Sequence, residues 1–204
     1  MKRKLIGIVD YGVGNHTSVI RAFQGLGNSC QITSEKEVLA AADIIVLPGV
    51  GAFPAAMECL IQRGLVDCLK KFAKDKKPIL GVCLGMQLLA SKSLEYSDTD
   101  GLDLIPGVVR PLGGHDPHVG WNSIKAVKKN TLISDGDGKF FYFNHSFVID
   151  TPAPYRIAES QFNKQCFTVA VQRGNVVGLQ FHPEKSQGAG WQLLRSLLMS
   201  MCYD

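Results

Sequence analysis

Short apolar runs alternate with amphipathic stretches through the first half of the chain. Leu5–Val9 is rich in β-formers, and Gly12-Val13-Gly14-Asn15 turns the chain into a helical stretch ending near Gly25–Gly27. Ser29–Thr33 and Asp43–Leu47 predict further strands. The second is almost unbroken in its apolar character, the pattern of a strand covered on both faces in a parallel sheet. Pro54–Lys74 predicts helix with a break near Gly64, Pro78–Val82 another buried strand, and Met86–Ser91 a helix. This βαβα alternation predicts an α/β fold, a doubly wound and mostly parallel central sheet flanked by helices on both faces.

The second half changes style. Val108–Leu112, Ser123–Val127, Phe140–Ile149, Thr168–Gln172 and Val176–Phe181 predict strands separated by Gly, Pro and Asn, which suits antiparallel hairpins beside the main sheet. Trp191, Leu194, Leu197, Leu198 and Met201 then share one face of a closing amphipathic helix. No internal repeat or linker interrupts residues 1–204, so the sequence predicts a single domain.

Composition narrows the classes of function. With 22 Lys plus Arg against 18 Asp plus Glu, the net charge of +4 is too small to argue for nucleic acid. The basic start Met1–Lys4 imitates a signal peptide, but its apolar run stops at Asp10, and no uncharged stretch is long enough to span a bilayer. A cytoplasmic protein without membrane contact is expected. The six cysteines contain no C-x-x-C pair, so zinc-ribbon and thioredoxin-type motifs are absent and reduced thiols are expected.

Three stretches carry chemistry. Gly81-Val82-Cys83-Leu84-Gly85 joins a predicted buried strand to a helix and has the G-x-nucleophile-x-G form of a nucleophile elbow. Such a turn exposes the sulfur near the helix N-terminus, which favours a thiolate, and places the Leu84 N–H to donate to an oxyanion. In Gln180-Phe181-His182-Pro183-Glu184, residues two apart on an extended strand share a face at about 7 Å per step, bringing a carboxylate to the side of an imidazole. Leu47-Pro48-Gly49-Val50-Gly51 is a glycine loop after a strand, able to turn a Gly49–Val50 N–H toward the same oxyanion. Each has a plainer reading: a core thiol, a structural histidine, a phosphate loop. Neither this loop nor Gly12–Asn15 completes a dinucleotide or Walker pattern, so a nicotinamide-dependent oxidoreductase is weakly supported. An elbow cysteine together with a His–Glu pair favours a Cys83–His182–Glu184 triad.

Together these stretches resemble the class I (triad) glutamine amidotransferases. GVCLGMQLL at Gly81–Leu89, PGVGAF at Pro48–Phe53, HVGWN at His118–Asn122, YFNHSF at Tyr142–Phe147 and QFHPEKS at Gln180–Ser186 are similar to the glutaminase subunits of imidazole glycerol phosphate synthases. The resemblance implies a flavodoxin-like amidotransferase fold and a glutaminase that hydrolyses glutamine to glutamate and ammonia. Cys83, His182 and Glu184 would be catalytic, with Gly49, Val50 and Leu84 forming the oxyanion hole. Gly51, Gln87, Glu95, His145, Ser146 and Phe147 would bind glutamine, and no cofactor or metal is implied. Asn15, Trp121, Asn122, Tyr142 and Lys185 would face a (β/α)8 cyclase subunit in a heterodimer. That partner receives the ammonia to make imidazole glycerol phosphate and an aminoimidazole carboxamide ribotide in histidine biosynthesis. The oxyanion loop would reach its active form only with the partner docked, so the chain alone would hydrolyse glutamine very slowly.

Val119, Asn144 and Phe147 depart from the family's usual Met, apolar residue and Tyr at those places. They leave open a related glutaminase that supplies ammonia for amidation of a surface-polysaccharide sugar. A catalytically silent regulatory subunit is a further alternative, against which the intact Cys83, His182 and Glu184 speak.

Overall fold

A computed structural model of the chain describes residues 3–113, 117–128 and 132–202; Met1 and Lys2 of the basic start lie outside them. Strand β1 (Leu5–Val9) leads through α1 (His16–Gly25) to β2 (Ser29–Thr33), and through α2 (Lys36–Ala41) to β3 (Ile44–Leu47). Helices α3 (Phe53–Gln62) and α4 (Leu65–Lys74), parted by Gly64 at φ +63°, precede β4 (Ile79–Val82). These strands run parallel in the order β2-β1-β3-β4.

The pleat sorts their side chains. Ile6, Ile8, Ile44, Val46, Leu80 and Val82 meet Val19, Ala22 and Phe23 of α1 on one face. Val9, Ile45, Leu47 and Ile79 meet Leu39 of α2, Leu60 of α3, and Leu65 and Leu69 of α4 on the other. Burial on both sides is why these segments read as unbroken apolar runs.

After β4 the chain turns into α5 (Leu84–Leu88) and leaves the main sheet for β5 (Ala90–Ser93), β6 (Thr99–Asp100), β7 (Ile105–Pro111), β8 (His118–Ser123), β9 (Lys125–Ala126), β10 (Phe140–His145) and β11 (Phe147–Asp150). β11, β7, β5 and β6 form a small sheet in that order, while β8 and β10 pair as an antiparallel ribbon. β12 (Arg156–Phe162), β13 (Gln165–Arg173) and β14 (Val176–Leu179) return to the main sheet. β14 lies parallel beside β4, and β13, β12 and β9 follow antiparallel. Helix α6 (Gln187–Cys202) closes the α1 face with Leu193, Leu194, Leu197 and Leu198.

The α/β architecture predicted from the sequence is present, with differences that have physical reasons. The helix expected over Met86–Ser91 ends at Leu88, and Ala90–Ser93 is a strand. The carbonyls of Leu88, Leu89 and Ala90 are taken by the N–H groups of Leu102, Leu104, Ile105 and Asp103 from a crossing segment, so the helix cannot continue. The strand expected over Phe140–Ile149 breaks at Ser146, whose carbonyl accepts from Leu112 N–H, and its two halves join different sheets. The antiparallel strands do not merely flank the main sheet; they widen it. Several elements were not foreseen: α2, only six residues long; the two-residue β6; β8, whose HVGWN sequence holds two glycine-flanked apolar positions but no apolar run; and β12, whose polar sequence RIAESQF gives none either.

Helix α6 packs its Gly190 directly onto the Pro183 carbonyl, where an added methyl would overlap the backbone. Gly188, two residues earlier, faces open space. Gly190→Ala should therefore cost about 1–3 kcal/mol, roughly 2–12 °C in Tm for a domain of this size. Gly188→Ala should leave Tm unchanged or raise it slightly, because alanine is the better helix former. Thermal melts of the two variants check this; equal effects would refute the packing argument.

Candidate active site

Cys83 stands between β4 and α5 at φ +55° and ψ −113°, a conformation that costs an L-residue of the order of 1–3 kcal/mol. Its N–H donates to the Leu179 carbonyl of β14 at 2.7 Å. Gly85 lies so close to the Leu47 carbonyl of β3 that no Cβ fits, which answers the glycine of the elbow motif. Helix α5 has only five residues, so the elbow owes less to a long helix dipole than to the free N–H groups of its first turn. Leu84, at its first position, is one of them.

Strand β14 ends at Leu179, and the next residues converge on the sulfur. Gln180, fully buried, donates from Nε2 to Cys83 Sγ at 3.9 Å. His182 is held by its N–H to the Tyr142 carbonyl at 2.8 Å and by Ser186 Oγ, which donates to the His182 carbonyl at 2.6 Å. Pro183–Lys185 form a 3-10 turn. An extended strand would place His182 and Glu184 a full step apart; the turn instead folds the carboxylate back, and Glu184 Oε1 lies 2.8 Å from His182 Nδ1. Burial opposes charge on His182, but its contacts with Cys83 and Glu184 outweigh that and raise the imidazole to about 10. Glu184 Oε2 is buried without a protein partner among the described residues. It borders a small hollow of about 10 Å³ lined also by Asn15, Gly49 and Val50.

A cavity of about 270 Å³ opens in front of the sulfur. Gly51, Gln87, Glu95, His145, Ser146 and Phe147 line it together with Cys83, His182, Val50 and Leu84. Gly49 borders only the smaller hollow; the Pro48 carbonyl beside it accepts from the buried Tyr11 hydroxyl at 2.8 Å. Glu95 Oε2 accepts from Phe53 N–H at 2.8 Å, and burial nonetheless raises the carboxyl above its ordinary value. Gln87 Nε2 donates to the Phe147 carbonyl at 2.9 Å and to Gln180 Oε1 at 3.1 Å.

Sequence reasoning missed the contributions of Gln180, Asn144 and Tyr96. Gln180 had a signal, its place on the face of His182. Asn144 had one as well, its place beside the expected glutamine pocket, though not the contact of its carbonyl, 3.8 Å from Cys83 Sγ; Tyr96, at φ +61° on the cavity rim, had none.

The residues proposed to face a partner divide into two groups. Trp121 and Tyr142 pair across the outer row of the ribbon with ring centroids 6.3 Å apart, and Lys185 Nζ lies 5.7 Å above the Tyr142 ring. Asn15 caps α1 by accepting from Ser18 N–H. Asn122 belongs to the inner row, where its amide is used within the chain by His118, the Gln161 carbonyl and Ser123 N–H. Among the described residues no helix is long and apolar enough to cross a membrane.

The family model for glutamine amidotransferase class-I matches residues 7–200. "Imidazole glycerol phosphate synthase subunit HisH" of Bacillus cereus (strain AH187) is 44% identical over 197 residues, 94% of this chain and 93% of that protein. The protein of the same name from Bacillus thuringiensis (strain Al Hakam) is 43% identical over the same shares. Among solved structures, PurLQS from Thermotoga maritima superposes with a TM-score of 0.78 at 17% identity, covering 98% of this chain and 99% of that one. A glutamine amidotransferase from the same organism gives 0.71 at 18% identity, covering 100% of each chain. Those distant likenesses establish the fold; the matched family model and the HisH relatives establish that this chain belongs to the class-I glutamine amidotransferases.

Proposed function

We propose that the chain is the glutaminase subunit of an imidazole glycerol phosphate synthase, with residues 1–204 acting as one amidotransferase unit. The observation that carries this reading is the convergence of an elbow cysteine and a carboxylate-paired imidazole on one cavity, in a chain 44% identical to HisH subunits.

The chemistry follows from the groups present. Cys83, as the thiolate whose proton His182 holds, attacks the carboxamide carbon of glutamine, and the oxygen of the tetrahedral adduct is held by Leu84 N–H and the Gly49–Val50 peptide. His182, held protonated by Glu184, delivers its proton to the leaving nitrogen, which departs as ammonia and leaves a glutamyl thioester. His182, now neutral, takes a proton from water as the water attacks the thioester, and glutamate leaves with the thiolate restored. Glu95, with one oxygen fixed by Phe53 N–H, offers the other to the α-ammonium of glutamine. Gln87, with both amide hydrogens bound by acceptors, offers its oxygen to the same group.

Ammonia is largely protonated in water at neutral pH and then cannot act as a nucleophile, so a sheltered route to its acceptor is needed. A (β/α)8 cyclase subunit docked in a heterodimer would provide it. The outer row of the ribbon, with Trp121 48% exposed and Val119 55% exposed, supports docking on that side, next to Tyr142, Lys185 and Asn15. Six free thiols and the biosynthetic role support a cytoplasmic setting.

Mixed with such a cyclase subunit, the chain should release glutamate from glutamine. Cys83→Ala should lose at least about 10³-fold in kcat; a fully active alanine variant would refute the triad. Glu95→Gln should raise KM for glutamine about 10- to 100-fold by removing a charge-assisted bond, which steady-state kinetics will measure.

The raised His182 stabilises the folded chain fully below its ordinary 6.5, and that contribution is lost as the pH rises through about 10. The stability gap between wild type and Glu184→Gln should therefore be wide near neutral pH and close as the pH climbs toward about 10. Urea denaturation across that range tests it, and a gap that widened with pH would contradict the pairing.

A further inference from the structure

Two buried imidazoles lie beside the cavity and take no part in the hydrolysis above. His118 Nδ1 and His145 Nε2 face each other at 3.0 Å. His145 lines the cavity; His118 does not, being enclosed by the rings of Phe143, Phe162 and Phe167 at 4.6, 4.3 and 5.5 Å between centroids.

Their neighbours fix where each proton sits. The Phe147 carbonyl can only accept, so His145 Nδ1, at 2.9 Å, carries the hydrogen. In a neutral ring Nε2 then has only a lone pair, and His118 must donate to it from Nδ1. His118 Nε2 in turn accepts from Asn122 Nδ2 at 3.2 Å. The Asn122 amide cannot be reversed, because Nδ2 also donates to the Gln161 carbonyl at 2.9 Å and Oδ1 accepts from Ser123 N–H at 2.8 Å. Burial keeps both rings neutral, lowering His118 to about 4 and His145 to about 3, the latter against the Phe147 bond and with help from His118 and His182. Both imidazoles are thus Nδ1–H tautomers, the less common form of free histidine.

The far end of this ladder reaches the reacting centre. The Phe147 carbonyl also receives Gln87 Nε2, Gln87 donates to Gln180 Oε1, and Gln180 donates to Cys83 Sγ. If His145 moved its proton to Nε2, a lone pair would face the Phe147 carbonyl, and the His145-Ser146-Phe147 corner would be pushed open. The donor that forbids this is His118.

We propose that His118 is a positioning residue for glutamine: by donating from Nδ1 it holds His145 in the tautomer that anchors the Phe147 carbonyl, and so aims the Gln87 amide oxygen at the substrate. This rests on the reading of the cavity as the glutamine pocket. His118 never touches the ligand.

In the complex with the cyclase subunit, a diazo-ketone analogue of glutamine that alkylates Cys83 separates binding, read as KI, from alkylation, read as kinact. His118→Phe keeps an aromatic ring in the same enclosure but has no N–H; it should raise KI about tenfold with little change in kinact. His118→Asn, whose amide nitrogen can stand where Nδ1 stood, should recover most of the loss. An unchanged KI in His118→Phe, or equal impairment of the two variants, overturns the donor role. Failure of the analogue to label wild-type Cys83 would sink the glutamine-pocket reading instead.

The tautomers themselves are readable by ¹⁵N NMR of the unsubstituted chain, whatever the variants' folding. Nδ1–H signals for both rings, unchanged between about pH 5.5 and 8, support the ladder. An Nε2–H form of His145, or titration of either ring in that range, refutes it.

Discussion

Cys83 keeps a left-handed backbone because three backbone segments close around it, and the rest of the molecule is arranged to bring those segments there. The end of β3 supplies the Leu47 carbonyl against which Gly85 packs, and β4 supplies the incoming chain. β14 supplies the Leu179 carbonyl that takes the Cys83 N–H. The first two arrive within the parallel half of the sheet. The third arrives only after the chain has built the ribbon, the small sheet and the antiparallel extension. The Cys83 conformation therefore depends on contacts far apart in sequence, and a cost of a few kcal/mol at one residue is met by closing the main sheet at β4–β14.

The parallel half was legible because burial on both faces writes itself as uninterrupted apolar runs, and Ile44–Leu47 and Ile79–Val82 fell within their predicted ranges. The same rule misled at Leu89 and Ala90, where a buried apolar run followed a helix without a breaker and a crossing segment claimed the carbonyls. β12 was invisible for the opposite reason, its half-covered sequence alternating too irregularly to stand out. At the site, the motifs indicated which residues meet but not how. Glu184 was expected on a strand and comes instead from a turn. Asn122 was expected on the partner face, yet its amide is occupied inside the chain. The pairing of His118 with His145 depends on the register of β8 against β10, which no local pattern encodes.

Three imidazoles within one small region are shifted in opposite directions. His182 has a carboxylate and a thiol beside it and is pushed up; His118 and His145 have a carbonyl, an amide and each other, and burial pushes them down. The rings of Phe143, Phe162 and Phe167 surround His118 and give it the apolar setting in which a neutral imidazole is favoured.

The ribbon also separates two kinds of change. Its strands alternate, so His118, Asn122, Phe141, Phe143 and His145 look inward while Val119, Trp121, Tyr142 and Asn144 look outward. Val119 and Asn144 are cross-strand partners on that outer row. Asn144 meets Cys83 only through its backbone carbonyl, a contact indifferent to the side chain. The outward pair can thus change without disturbing the inward His118–His145 pair: the two rows share a backbone but not their neighbours, so one face of the ribbon is free to drift while the other is held.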